Sequence, residues 1–326
     1  MMKIKTQMIQ EFKAGDQIQG FFRCNIKEVR NTKTGSPYIH VTLSDKSGKI
    51  DGKIWENAAA FQKTFEQGDP VAVKARVTTF QNIVQLDIIE IAIANHEKHR
   101  DYGFDAIDLL PASKQNPDEM WQEIMEIING MSNQFLKTLS LKLYSKYESI
   151  IKTHPASMTL HHAVYGGFQE HVLSMLKLAA FVAKHYNADP DLLLTGVLLH
   201  DIGKIKELKT VEKPGYTDEG ILLGHVVMGR DMLIETAKDI TDFPKETLIK
   251  LEHIVLSHQG KYEWQSPAPP KFKEALLVHF IDEMDARMNM MENAILEDKE
   301  QGTWTSRRNY FRVSLLKKDL FFDESE

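Results

Sequence analysis

Two periodicities divide the chain. Between Asp16 and Ala94, apolar and polar residues alternate in five short runs, QIQGFFRCNIKEVR, SPYIHVTLSD, GKIDGKIWE, DPVAVKARVTTF and NIVQLDIIEIAIA. Turn-forming residues separate them at Thr34-Gly35, Lys46-Ser47-Gly48 and Gly68-Asp69-Pro70. A period of two places successive side chains on opposite faces, so each run predicts a strand with one buried side. From Glu119 onward the spacing changes. Apolar residues recur at three- and four-residue steps in seven segments, from EMWQEIMEIINGM to KFKEALLVHFIDEMDARMNMMENAILED, which predicts helices. Residues 96–118 are polar and contain Pro111 and Pro117, the mark of a connector. The expected organisation is a β domain over residues 1–95, a linker over 96–118, a helical domain over 119–300 and a basic, aromatic tail over 301–326.

The interval ENAAAFQKTFEQG between the third and fourth runs is helix-like, with Ala59, Phe61 and Phe65 as its expected packing face. Five strands with a helix before the fourth is the order of an OB-fold barrel. The segment LSDKSGKIDGKIW resembles the strand-turn-strand centre of OB domains in tRNA-anticodon-binding and single-strand-binding proteins. The expected fold class is therefore multidomain, an N-terminal five-stranded OB-fold β-barrel followed by an all-α domain. If Ile39, Val41 and Leu43 point inward, Tyr38 and His40 point out; likewise Ile50, Gly52 and Ile54 inward leaves Lys53 and Trp55 outside. This is the face on which OB-folds bind oligonucleotides. Tyr38 and Trp55 could stack bases beside the Lys53 ammonium, or could instead pack under a loop.

A length of 326 residues leaves room for two separate cores. The lone cysteine, Cys24, rules out an intramolecular disulfide, and the start MMKIKTQMIQEFKAGD lacks the apolar run of a signal peptide. No segment reaches the apolar length of a membrane span, so a cytoplasmic location is expected. Residues 1–95 carry 13 Lys and Arg against 10 Asp and Glu, and the remainder 27 against 36, so a mildly basic front precedes an acidic back. Part of that acidic excess is explicable as metal ligands.

The strongest chemical signal closes the apolar run LLLTGVLL, where His200 and Asp201 are followed by Lys204. A helix with apolar residues on every side is buried, and a buried carboxylate needs neutralising. An imidazole beside a carboxylate can do this by sharing a cation. Further ligands should then be polar residues that interrupt apolar helix faces, and His171 in EHVLSMLKLAAFV and Asp282 in ALLVHFIDEMDA qualify. His, His-Asp and Asp on three helices is the arrangement of the HD superfamily of metal-dependent phosphohydrolases, which this half of the chain resembles. That resemblance implies His225 and His258 as ligands of a second cation, with Asp201 bridging both. His253 is a weaker candidate, because a spacing of five from His258 is awkward for one helical face. Lys204, one helical turn from the pair, could meet the phosphate's developing charge or be a helix-end lysine favoured by the dipole. The expected catalytic residues are Asp201 and Lys204. His96, His99, His185 and His279 are given no role.

Other segments would contact substrate. His161 and His162 precede Tyr165-Gly166-Gly167 in a loop expected to overhang the metals, where Gly166 and Gly167 could let backbone approach phosphate or ribose. The proline-rich loop GKYEWQSPAPPKF carries Tyr262 and Trp264, which could stack the terminal base or cover the core.

HD chemistry does not select among nucleotides, cyclic dinucleotides and polymers. An OB barrel joined to an HD domain resembles the YhaM family of 3′–5′ exoribonucleases, and HHAVYGGFQEHVLSM, LLHDIGKIKEL, GHVVMG and EHIVLSHQGKYEWQSPAPP look like that family's segments. The resemblance implies release of nucleoside monophosphates from the 3′ end of single-stranded RNA, some action on single-stranded DNA, and divalent metal, Mn²⁺ by preference, at two ions per chain. Gln259 departs from the pattern, in which a second His commonly follows His258. SRRNYFRVSLLKK would be an RNA or subunit contact, or a plain packing segment, and the exposed helices leave room for a homo-oligomer. The alternative is an HD phosphohydrolase of small or cyclic nucleotides with a regulatory barrel.

Overall fold

In a computed structural model of the chain, the described residues are 7–317 other than 33, 82, 110–111, 159, 211–214 and 265. The end of the basic, aromatic tail, from Lys318, lies outside them. The chain forms two compact units that divide between Ala112 and Ser113.

The first unit is the barrel that the alternation predicts. Strands β1 (Gln17–Asn31), β2 (Pro37–Asp45), β3 (Gly48–Ile54), β4 (Pro70–Phe80) and β5 (Ile83–Ile93) close in the order β1-β2-β3-β5-β4. Every pairing is antiparallel except β3 with β5, where Gly52 and Lys53 lie opposite Leu86 and Asp87. Closure removes the open edges that would otherwise template aggregation. Ile39, Val41, Leu43 and Ile54 are fully buried, as the alternation requires, so β2 and β3 turn their other face outward. The β2–β3 turn is held by Asp45, whose Oδ1 accepts from the backbone of Ser47 and Gly48, while its Oδ2 accepts from Ile9. The helix between β3 and β4 is a single turn, α1 (Ala58–Phe61). Ala58 rather than Ala59 is buried, with Phe65, and Phe61 packs partly buried against the same core; the N-cap Asn57 lies in the left-handed region. Past β5, the stretch read as a linker opens with α2 (His96–His99), and Phe104 and Leu109 bury themselves with Ala94 against Phe21 and Ala72.

The second unit is helical: α3 (Pro117–Asn129), α4 (Gln134–Ile151), α5 (Gly167–Tyr186), α6 (Pro190–Leu199), α7 (Lys204–Glu207), α8 (Asp218–Lys238), α9 (Lys245–Ser257) and α10 (Lys273–Leu296). At its centre lies α6, whose residues Leu192 to Leu199 are all buried, surrounded by α4, α5, α9 and α10. Its start is fixed by Asp189, which accepts from Leu192 N at 3.0 Å, with Pro190 at the first helical position. Its exit is fixed by Tyr144, whose hydroxyl donates to Leu198 O at 2.9 Å. No helix among the described residues is long and apolar enough to cross a membrane.

Candidate metal centre

Five helices, α5, α6, α8, α9 and α10, deliver His and Asp side chains to one buried point. His200 is the C-cap of α6 and Asp201 begins the turn that leads to Lys204 on α7. His258 likewise caps α9. A helix C-terminus suits these roles, since the chain leaves the helix there and the side chain can turn across its end. His171 lies in the second turn of α5, and Asp282 lies midway along α10. His225 depends on a break in α8, where Gly224 has φ 74° and ψ 153°. A residue with a Cβ rarely adopts that left-handed φ, so glycine permits the kink that turns His225 toward Asp201.

The histidines share one hydrogen-bond logic. Nδ1 of His200 donates to Val197 O at 2.7 Å and Nδ1 of His258 to Val255 O at 2.8 Å. Nδ1 of His171 meets Asp285 Oδ2 at 2.7 Å, and that of His225 meets Glu207 Oε1 at 3.1 Å. Acceptors at every Nδ1 fix the proton there, which leaves each Nε2 a lone pair directed inward. Those atoms converge on carboxylates. Asp201 Oδ1 lies 3.4 Å from His258 Nε2 and 3.5 Å from His225 Nε2, and Asp201 Oδ2 lies 3.4 Å from His200 Nε2. Asp282 Oδ1 lies 3.3 Å from His171 Nε2 and 3.9 Å from His200 Nε2. His171 Nε2, His200 Nε2 and Asp201 Oδ1 are buried with no hydrogen-bond partner. Orphaned lone pairs facing one another are costly unless a cation lies between them, so this donor set fits a divalent metal. His171, His200 and Asp201 form one such group, and Asp201, His225 and His258 a second that shares Asp201.

Electrostatics keep the two carboxylates in ligand form, while Asp201 and Asp282 overcome the burial of His200 and raise it, so a cation at its Nε2 would displace a proton. Burial pushes the Asp201 carboxyl up, but the Lys204 ammonium 2.5 Å away and His200 outweigh it and hold the group well below the usual carboxylate range. Burial acts against Asp282 too, and His171 and His200 bring it down. Lys204 is raised because Asp201 and Asp282 overcome its burial, so it remains an ammonium. His161, in a further group with His171 and Asp282, is pushed down to about 3 by burial and by Lys204, and its Nε2 has no partner. It is a neutral imidazole at the rim.

Several expected contacts are placed elsewhere. Both ring nitrogens of His162 are taken up by carboxylates: they bridge Glu170 Oε2 (2.9 Å) and Asp285 Oδ2 (3.1 Å), which overcome burial and raise the imidazole to about 9. Gly166 and Gly167 do not offer free amides, since Gly166 N donates to Thr153 O and Gly167 N to Val164 O. A Cβ on Gly167 would lie 2.0 Å from His162 O, so that glycine lets the histidine loop pack on the start of α5. His253 stands apart from every ligand group; its Nε2 accepts from Lys271 N at 3.0 Å and its ring lies against Phe272. Five helical residues turn about 140°, which carries it off the His258 face. Tyr262 is exposed, and Trp264 lies under the Lys261 ammonium beside His279, whose Nδ1 donates to His258 O at 2.8 Å. Gln259 points its amide nitrogen at His258 Nε2 (3.0 Å) and His225 Nε2 (3.4 Å).

The supporting carboxylates Asp285, Glu207 and Glu170 escaped the sequence reading. Asp285 had a usable signal, because it follows Asp282 by three residues and so shares its helix face. On the barrel, Tyr38 and Trp55 stack with ring centroids 4.7 Å apart, and Lys53 Nζ lies 5.4 Å from the Trp55 ring. Phe80 joins them, 4.9 Å from the same ammonium and half exposed.

Comparison with known proteins agrees with both units. Residues 168–287 match the HD domain family, and residues 26–94 match a family described as an OB-fold nucleic acid binding domain. Among solved structures, the second OB-fold domain of replication protein A from Methanococcus maripaludis is 20% identical, over 28% of this chain and 95% of that one, with a TM-score of 0.24. A replication protein A heterotrimer bound to ssDNA is 14% identical over 29% of this chain and 71% of that one (TM-score 0.23). Asparaginyl-tRNA synthetase from Entamoeba histolytica is 10% identical over 48% and 40% (TM-score 0.23). The chain thus joins an HD domain, which indicates a metal-dependent phosphohydrolase, to a nucleic-acid-binding OB barrel.

Proposed function

We propose that the chain is a divalent-metal-dependent 3′–5′ exoribonuclease that trims single-stranded RNA and releases nucleoside 5′-monophosphates, as members of the YhaM family do. The observation that carries this reading is the convergence of orphaned His171, His200 and Asp201 atoms in one half of a chain whose other half is a nucleic-acid-binding barrel. His171, His200, Asp201 and Asp282 would hold one ion, and Asp201, His225 and His258 a second, Mn²⁺ fitting the mixed imidazole and carboxylate set. Such ions supply Lewis-acid polarisation of the phosphoryl oxygens and acidify the attacking water.

The chain's own groups do the rest. Water attacks phosphorus, the bond to the neighbouring 3′ oxygen breaks, the phosphate leaves on the terminal nucleotide, and the shortened strand keeps a 3′ hydroxyl. Lys204 holds Asp201 ionised through Oδ2 and has further N–H donors for phosphoryl oxygens as their charge grows. His161, neutral and unpartnered, offers Nε2 at the rim. Glu207 and Asp285 orient His225 and His171. On the barrel, Trp55 and Phe80 offer aromatic faces to bases, with Lys53 between them for the backbone.

A 5′-labelled single-stranded RNA incubated with the metal-loaded protein tests the reading. Stepwise shortening from the 3′ end, abolished by chelator and by Asp201→Ala with RNA binding retained, is the expected result. Untouched RNA beside rapid hydrolysis of a small or cyclic nucleotide would replace it with the small-nucleotide alternative.

A further inference from the structure

Beyond α10 the chain folds back into a small lobe that the metal chemistry does not use. Asp298 gathers it, accepting from Ser306 N at 2.8 Å, from Glu300 N at 3.1 Å and from Lys317 Nζ at 2.8 Å. Asn309 Nδ2 donates to Ser306 O and Val313 O, and Trp304 bridges to Leu316. Thr305 and Leu315 are the buried anchors. With those points fixed, Arg307, Arg308, Tyr310 and Arg312 are left on the outside. None of the three arginines makes an ion pair among the described residues. Unpaired guanidinium groups on a lobe held by its own polar contacts add nothing to its packing.

The lobe and the end of α10 enclose a cavity of about 470 Å³ lined by Leu160, Asn293, Lys299, Arg308 and Tyr310. Glu297 and Asp298 also line it, with Asp298 neutralised by Lys317. Leu160, half exposed, directly precedes His161, whose Nε2 belongs to the ligand group with His171 and Asp282. The wall is tied to that loop: Asn289 Oδ1 accepts from His162 N at 2.9 Å and from Asn293 Nδ2 at 3.0 Å. Cavity and metal centre therefore share the loop 160–162.

We propose that this cavity is the subsite for the nucleotide next to the scissile phosphate, with Arg308 and Lys299 holding a phosphodiester group and Tyr310 stacking the base. This rests on the nuclease reading above. Two cations beside an exposed aromatic ring are what a single strand requires: charge for the backbone and a π face for any base. A substrate with no nucleotide beyond the scissile bond would leave it empty, so the subsite would favour a strand over a free nucleotide.

Steady-state kinetics of the metal-loaded full chain on a 5′-labelled RNA tetranucleotide and on a nucleoside 5′-(p-nitrophenyl phosphate), which carries no nucleotide beyond the scissile bond, test the assignment. The double variant Arg308→Ala, Tyr310→Ala should lower kcat/KM on the tetranucleotide about tenfold more than on the p-nitrophenyl ester, the loss expected for one charge-assisted contact. Both residues are exposed, so the melting temperature should stay at the wild-type value. For the wild type, log KM on the tetranucleotide should depend on log salt with a slope steeper by about 0.7 than for Arg308→Ala. Equal losses on both substrates, or an unchanged salt slope, would overturn the subsite while leaving the nuclease reading standing. If the wild type leaves the RNA uncleaved yet hydrolyses bis(p-nitrophenyl) phosphate, the nuclease reading itself fails and takes the subsite with it.

Discussion

The barrel carries its candidate contacts on its outer face, whereas the helical unit carries its candidate ligands in its interior. On the barrel, period-two alternation sends Ile39, Val41 and Leu43 inward and leaves Trp55 exposed and Tyr38 and Lys53 half-buried on the outer face. In the helical unit His171, His200, Asp201 and His258 lie deep in the interior, among residues of the main core. A solvent-facing contact surface costs the fold little and can change gradually. A buried ionic cluster is all or nothing, because each member is tolerable only while its partners and its cation are present.

The sharpest way to break the contrast is at Asp201, which touches all three of His200, His225 and His258. Asp201→Ala should lower hydrolysis at least about a thousandfold and reduce bound metal, measured by elemental analysis, while RNA affinity in chelator changes little. If RNA affinity collapses as well, the two units are not separate in function.

Next in size is acid stability. His154 donates Nε2 to Lys204 O at 3.0 Å, and burial pushes its imidazole down to about 4. The folded form therefore resists protonation that the unfolded chain accepts. Its contribution is intact above about pH 6.5 and is lost as pH falls toward 4, about 3 kcal/mol in all. Denaturant melts of wild type and His154→Gln at pH 8 and pH 4.5 should show a smaller acid loss in the variant. Equal losses would mean that His154 titrates normally.

Asp285→Asn tests the supporting layer, since that carboxylate accepts from both His171 and His162. Metal affinity should fall about 10- to 100-fold, read by titration calorimetry, with the barrel's RNA binding unaffected. An unchanged affinity would show that His171 needs no outer partner.

Legibility followed the same division. Strands and inward faces on the barrel were readable because burial there repeats every second residue, whereas the single-turn helix buries Ala58 in place of Ala59, a choice that so short a helical segment leaves no periodicity to fix. Among the candidate ligands, His171 and Asp282 stood out because each interrupts an apolar helix face, whereas His225 and His258 were reached only through the HD resemblance. Their supports were not readable, because the contact of His171 with Asp285 spans 114 residues and leaves no local trace. Adjacent positions diverged for the same reason: His161 keeps a free Nε2, while His162 is consumed by two carboxylates that only the fold brings to it.

The smallest expected effects lie on the barrel and test whether its surface is as independent as the comparison claims. Tyr38 already has a partner in Trp55, so one face of each ring is committed before any base arrives. Trp55→Ala should weaken single-stranded RNA binding by about 1–3 kcal/mol in fluorescence anisotropy, with Phe80→Ala weakening it less. Tyr38→Ala should act on folding, removing an aromatic pair worth about 0.5–1.5 kcal/mol, and on binding only through the Trp55 ring it supports. A double-mutant cycle separates these. If Tyr38→Ala costs binding as much in the Trp55→Ala background as alone, Tyr38 contacts RNA directly; if the cost disappears, its role is to hold Trp55 in place.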